Sequence, residues 1–281
     1  MATLPDATRI GRVHLRVADL DRSLAFYRDQ LGLVEFERGE RSAELGPRDG
    51  RPLIVLNAQP GTRARPTGVV GLYHFALLFP SRRELGRVLL HLFEARYPFQ
   101  GFADHAVSEA AYLADPDGNG VELYSDRPRE DWQHDDQGQV VMGTFTLNVN
   151  SLLRTVDGED WTGTAADTRV GHVHLHVSDL ELARDFYRNV IGFEITNRGY
   201  PGALFMAAGG YHHHLGLNTW LKSTQRPTDV ADLQSYEVVL PDRRAVSDVL
   251  ERARAAQYAV EDLEGNAAVL DPNGMRVVLT T

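Results

Sequence analysis

An α+β fold made of four βαβββ modules is predicted by three features of the sequence. Residues 8–32, TRIGRVHLRVADLDRSLAFYRDQLG, match residues 168–192, TRVGHVHLHVSDLELARDFYRNVIG, at thirteen of twenty-five positions with a constant offset of 160. Similarity of that order means one structure used twice. A weaker second pair, GLYHFALLFPSRRELGRVLLHL and LQSYEVVLPDRRAVSDVLERA, reads in both cases as an apolar strand, a proline and an amphipathic helix. Thirdly, every one of the four units runs on into short strands parted by Gly- and Asn-containing turns.

The elements follow in order. Val13 to Val17 and Val173 to Val177 alternate apolar and polar residues, which is the period of a strand. Asp19-Leu20 and Asp179-Leu180 come next, where Asp can cap a helix start. The first helix carries Leu24, Phe26, Tyr27 and Leu31 and stops at Gly32, a residue suited to the position just past a helix end. LVEFERG, RSAELG and PLIVLNAQ supply three further strands, and FEITNRG, ALFMAAG and HHHLGLNTW supply them in the second copy. The second kind of unit ends in YLADPDGNGVELY or AVLDPNGMRVVLT. The modules lie near residues 8–60, 69–126, 168–221 and 233–281. They give an N-terminal pair over 1–127, a connector over 128–167 and a C-terminal pair over 168–281.

Composition narrows the function. The 281 residues are 43% hydrophobic and 24% charged, as in ordinary globular proteins. A net charge of −10 argues against nucleic acid or an anionic membrane as partner. No apolar run approaches the 18 or so residues of a membrane span, and the N-terminus lacks a signal-peptide core, so a cytoplasmic enzyme is expected. There is no cysteine, which leaves histidine and carboxylate as metal ligands.

The four modules, the FY…LG helices and the DPDGNGVEL turn resemble the vicinal oxygen chelate superfamily (glyoxalase, bleomycin resistance and extradiol dioxygenase proteins) along nearly the whole chain. Within it the chain is most similar to the catechol 2,3-dioxygenase type. The resemblance implies two curved, incomplete β-barrels with flanking helices, each made by two modules around a place for a divalent metal. It puts ligands on the first strands of two partner modules and on the last strand of one. At those positions the second and third modules offer His74, Glu122 and His172, whereas the first and fourth offer Arg12, Ser235 and Val278. Arginine cannot ligate. One competent site from modules 69–126 and 168–221 is therefore expected, beside a degenerate pocket from the other two. Two histidines and a carboxylate form the facial triad of non-haem Fe(II) oxygen chemistry, so Fe(II) is the expected cofactor, with Mn(II) as its nearest substitute.

The resemblance also addresses the run His212-His213-His214. It implies that His213 faces the cavity as general acid/base and that its two neighbours face away; a shift of one residue would promote His214. Tyr112, ten residues before Glu122, matches an active-site tyrosine that hydrogen-bonds substrate, and His105 is a further pocket residue. His174 shares the face of His172, but His14 stands at the same place in the first module, which favours a structural role for both. His91 and His134 read as surface residues. The implied activity is cleavage of a catechol ring beside its hydroxyl pair with both atoms of O2 incorporated. Its partners are a small aromatic diol and O2, and exposed strand edges imply a homo-oligomer. The alternatives are another metalloenzyme of the superfamily, glyoxalase-like isomerase or hydroquinone dioxygenase, and a protein that sequesters a small molecule.

Overall fold

The computed structural model describes residues 3–281 other than 67, 157, 159 and 264. The first module holds strand β1 (Arg9–Val17), helix α1 (Leu20–Leu24) and strands β2 (Val34–Arg38), β3 (Ser42–Gly46) and β4 (Ile54–Ala58). The second holds β5 (Gly71–Leu78), α2 (Arg82–Glu94), β6 (Gly101–Asp104), β7 (Ser108–Ala114) and β8 (Gly120–Asp126). A short helix, α3 (Val149–Leu153), lies in the connector. The third module comprises β9 (Arg169–His176), α4 (Leu180–Asp185), β10 (Glu194–Asn197), β11 (Ala203–Ala207) and β12 (Leu215–Asn218). The fourth comprises β13 (Asp232–Val239), α5 (Arg243–Ala255), β14 (Val260–Leu263), β15 (Asn266–Leu270) and β16 (Arg276–Thr280).

Each module helix starts on a side-chain cap. Asp19, Ser81, Asp179 and Asp242 accept hydrogen bonds from backbone N–H groups in the first turn, satisfying donors that a helix start leaves open. In α2, Leu85, Val88, Leu89 and Leu92 recur at helical spacing and are fully buried. A Leu89→Ala change there would cost about 2–5 kcal/mol. The helices α1 and α4 widen into π-type turns over Ala25–Gln30 and Phe186–Ile191, which end at Gly32 and Gly192 with φ of 68° and 109°.

Those turns explain the motifs on which the resemblance rested. Tyr27 donates its hydroxyl to Asp115 Oδ2 at 2.8 Å, and Tyr187 does the same to Asp271 at 2.9 Å. Asp115 also accepts from the backbone of Asp117 and Asn119, and Asp271 from Asn273 and Met275. The FY pair and the DP turn are thus a structural staple between consecutive modules.

Sixteen strands among the described residues form two eight-stranded sheets, one of them curled as a half-barrel. The sheet of the first and last modules of the chain, called the outer sheet, runs β14-β15-β16-β13-β1-β4-β3-β2, and that of the two central modules, called the inner sheet, runs β10-β11-β12-β9-β5-β8-β7-β6. In every module the first strand pairs parallel with the last across the helix crossover. The modules join through antiparallel pairs, β1 with β13 and β5 with β9. The first module therefore completes its sheet with the fourth, and the second with the third. No helix among the described residues is long and apolar enough to cross a membrane.

Candidate metal centre

The inner sheet's register brings three predicted residues together. Ala76 on β5 is opposite Glu122 on β8 and also opposite His172 on β9. His74 sits two residues before Ala76 and so shares its face. The Nε2 atoms of His74 and His172 lie 3.0 Å and 3.1 Å from the same atom, Glu122 Oε2. One ligand atom from each residue lies within 4.8 Å of the other two, and all three side chains are buried. Two imidazole nitrogens and a carboxylate oxygen gathered so closely fit a divalent cation with N/O preference. Nδ1 of His172 is buried without a partner.

The electrostatics suit ligands. Burial alone would raise the Glu122 pKa, but the two imidazoles override it and hold the carboxyl well below its usual range. For His172, burial outweighs Glu122 and lowers the pKa to about 4, leaving a neutral ring at pH 7. A neutral imidazole and an ionised carboxylate are the forms that bind metal. Close to them, Gly171 on β9 is forced by packing, since a Cβ there would stand 1.7 Å from the Tyr124 hydroxyl.

His213, Tyr112 and His105 border the same cavity of about 190 Å³ that exposes His74 and Glu122. Their origin differs from the sequence expectation in one respect. Strand β12 begins only at Leu215, so the three histidines occupy the turn before it rather than the strand. Turn geometry nonetheless separates them. His213 packs on His172 with ring centroids 4.1 Å apart and borders the cavity. His212 points back to Asp126, and His214 Nδ1 accepts from the Ala208 backbone N–H. Burial first, then the imidazoles of His172 and His212, holds the His213 pKa well below its ordinary value.

Tyr112 lies opposite Glu122 on β7. Its hydroxyl is 2.6 Å from Nε2 of His105, whose Nδ1 is 2.7 Å from the carbonyl of Gly143. A carbonyl only accepts, so Nδ1 carries the proton, and in the neutral ring Nε2 accepts from the tyrosine. Burial, then Glu122, pushes the Tyr112 pKa well up, which keeps the phenol protonated.

Several cavity residues escaped sequence reasoning. Met142 and Thr144 reach the cavity from the connector, which is held in place where Asp104 and Phe145 exchange backbone hydrogen bonds. Nothing in the composition of that segment marked it as a wall. His174 also borders the cavity. It accepts from Asn218 Nδ2 at 3.0 Å, and His176 Nδ1 meets Asn218 Oδ1 at 2.6 Å. The available signal was the Leu-Asn pair shared by PLIVLNAQ and HHHLGLNTW, since Asn57 pairs with Arg16 as Asn218 pairs with His176. His91 is no ordinary surface residue, for it is partly buried and stacks on Trp161 at 4.8 Å; His134 is exposed.

The outer sheet shows what fills the equivalent place. Ser235 is opposite His14, as His74 is opposite His174. Val278 is opposite Glu237. Arg12 donates from its backbone N and Nε to Glu237, at 3.0 Å and 2.8 Å, and from a terminal nitrogen to Glu44 at 2.8 Å. A guanidinium supplied by the chain lies between two carboxylates.

Comparison with known proteins agrees with this architecture. The profile of the glyoxalase/bleomycin resistance protein/dioxygenase superfamily matches residues 9–123 and 169–279. A catechol-2,3-dioxygenase of Bacillus subtilis (strain 168) is 44% identical over 277 residues, spanning 97% of this chain and 96% of that protein. Among solved structures, a putative dioxygenase from Bacillus subtilis superposes with a TM-score of 0.65 at 14% identity, over 99% of this chain and 86% of that one. Glyoxalase I from Zea mays does so with 0.58 at 18% identity, over 97% and 92%. At these identities the structural matches speak for the fold. With four modules in two sheets, a clustered His-His-Glu triad and profile matches over both halves, the chain belongs to the glyoxalase/bleomycin resistance protein/dioxygenase superfamily.

Proposed function

We propose that this protein is an extradiol dioxygenase that opens the ring of a catechol beside its hydroxyl pair and incorporates both atoms of O2. The observation that carries the reading is that His74 and Glu122 line one small cavity with Tyr112 and His213, while His172 lies directly behind His213. His74, His172 and Glu122 would hold the metal, Fe(II) or Mn(II). When bound, such a metal neutralises a catecholate and lets electron density pass from ring to oxygen.

The protein's own residues account for the rest. Neutral His213 accepts the proton of a substrate hydroxyl as the diol enters and returns it as the ring opens, which is general acid/base work. Tyr112, its proton held by His105 Nε2, turns its hydroxyl oxygen to the cavity as an acceptor for a substrate hydroxyl and so orients the ring. Phe205, Trp220 and Met142 exclude water from the ring.

The cavity also speaks to substrate. It is smaller than the 300 Å³ or more of typical drug-sized sites. Among the described residues that line it, Glu122 is the one carboxylate and none is Lys or Arg, so none of them would pair with an acidic substituent. An uncharged, single-ring catechol fits best. A fourth protein ligand of the isomerase kind is opposed by Gly216, where a Cβ would stand 2.7 Å from the His174 ring.

Anaerobic loading with Fe(II), followed by catechol and air, tests the reading. O2 uptake with a yellow ring-opened product is expected, and 3,4-dihydroxybenzoate should turn over far more slowly. A fully iron-loaded protein that consumes no O2 with any catechol would sink it.

A further inference from the structure

Behind His213 runs a chain of hydrogen bonds that the roles above leave unused. His213 Nδ1 is 2.8 Å from Nδ1 of His212, and His212 Nε2 is 2.9 Å from Asp126 Oδ1. The Tyr211 hydroxyl donates to that same oxygen at 3.2 Å and is 2.7 Å from the Tyr124 hydroxyl. His212 is fully buried, with Trp132 and Tyr211 packed on its ring. Asp126 closes β8 with its side chain 23% exposed.

A carboxylate only accepts hydrogen bonds, so the proton between Asp126 and His212 belongs to His212 Nε2. In a neutral ring the Nδ1 of His212 is then a lone pair. Two lone pairs 2.8 Å apart would repel, so the proton between the two imidazoles belongs to His213 Nδ1. That leaves Nε2 of His213, the ring nitrogen turned away from His212, unprotonated. Tyrosines 124 and 211 are oriented the same way, each hydroxyl handing its proton toward Asp126.

We propose that Asp126 and His212 are positioning residues that lock His213 into the Nδ1–H tautomer and fix its ring, so that Nε2 meets the substrate ready to accept a proton. The catalytic consequence rests on the acid/base role given to His213; the tautomer itself does not. A histidine's free nitrogen is commonly set by what its other nitrogen binds. Here the setting group is another imidazole, itself set by a carboxylate on β8, which two strands separate from β12.

The test uses nitrogen NMR of the metal-free protein to see which nitrogen of neutral His213 is protonated. Nδ1–H is expected in the native chain. His212→Phe and Asp126→Leu, which remove an acceptor, should move His213 toward Nε2–H, while Asp126→Asn, which keeps an acceptor oxygen, should leave it unchanged. The Asp126 pair decides the point even if the buried ring site tolerates no replacement. In the iron-loaded enzyme, His212→Phe should lower kcat on catechol about tenfold with KM and metal content unchanged. Added to His213→Ala, it should lower kcat no further. Native His213 protonated at Nε2, or a tautomer indifferent to His212→Phe and Asp126→Leu, overturns the inference even if catechol is cleaved. A correct tautomer with no ring cleavage overturns the proposed function instead.

Discussion

The inner sheet gathers His74, Glu122 and His172, whereas the outer sheet has Ser235, Val278 and Arg12 at the corresponding places. Both sheets use the same strand order and the same parallel and antiparallel pairings. The outer one satisfies its buried carboxylate, Glu237, with the Arg12 guanidinium and the nearby His14. The inner one leaves Glu122 against the imidazoles of His74 and His172, the second of which burial keeps neutral at pH 7. A shared backbone thus supports two solutions to a buried carboxylate, one closed by the chain and one open to a cation. The difference lies in a few side chains.

Substitutions can break or sharpen that contrast. The largest effect is expected from His172→Ala, which removes a proposed metal ligand. It should abolish metal retention after anaerobic Fe(II) loading, read by metal analysis, and with it all O2 uptake; a fully loaded variant would refute the assignment. His213→Ala should keep its metal yet lose at least about 10²-fold in turnover, the low end for losing an acid/base group. Tyr112→Phe removes one hydroxyl and should cost turnover about tenfold, the equivalent of roughly 1.4 kcal/mol in the barrier.

The outer sheet should respond in stability instead. Arg12→Ala leaves Glu237 short of its main partner and should lower unfolding free energy by about 2 kcal/mol, without altering metal content. The loss stays this small because the Arg12 side chain is 31% exposed and water screens the pair. The smallest effect is in acid. Burial would raise the Glu237 pKa, but its bonds to His14 and Arg12 bring it down to about 2. A carboxyl depressed in the folded state stabilises fully above its unfolded pKa of about 4.3 and loses that contribution as pH falls toward 2. Glu237→Gln should therefore remove part of the loss of stability between pH 5 and 2, measured by denaturant titration at several pH values.

Much of this is legible in the sequence. Strand alternation placed His172 and His174 on one face, and the repeat exposed the βαβββ pattern, because both signals are local. The difference between Arg12 and His172 at an offset of 160 was visible as soon as the repeat was aligned. The strand assigned to His212–His214 was too long, since the apolar and aromatic residues that follow extended its pattern into a turn. The connector's contribution of Met142, Thr144 and the Gly143 carbonyl had no periodic signature at all.

The sequence by itself determined the four modules, their capped helices and the residue types able to bind a metal. These follow from neighbours within one turn or one strand, where sterics and side-chain period act directly. Tertiary structure alone decided that Ala76 stands opposite both Glu122 and His172, that His213 has His212 and Asp126 behind it, and that residues from the connector wall the cavity. Apart from the adjacent His212–His213 pair, those meetings join segments from about forty to a hundred residues apart. Their register is set by how whole sheets pack and hydrogen-bond, which no short stretch of chain encodes.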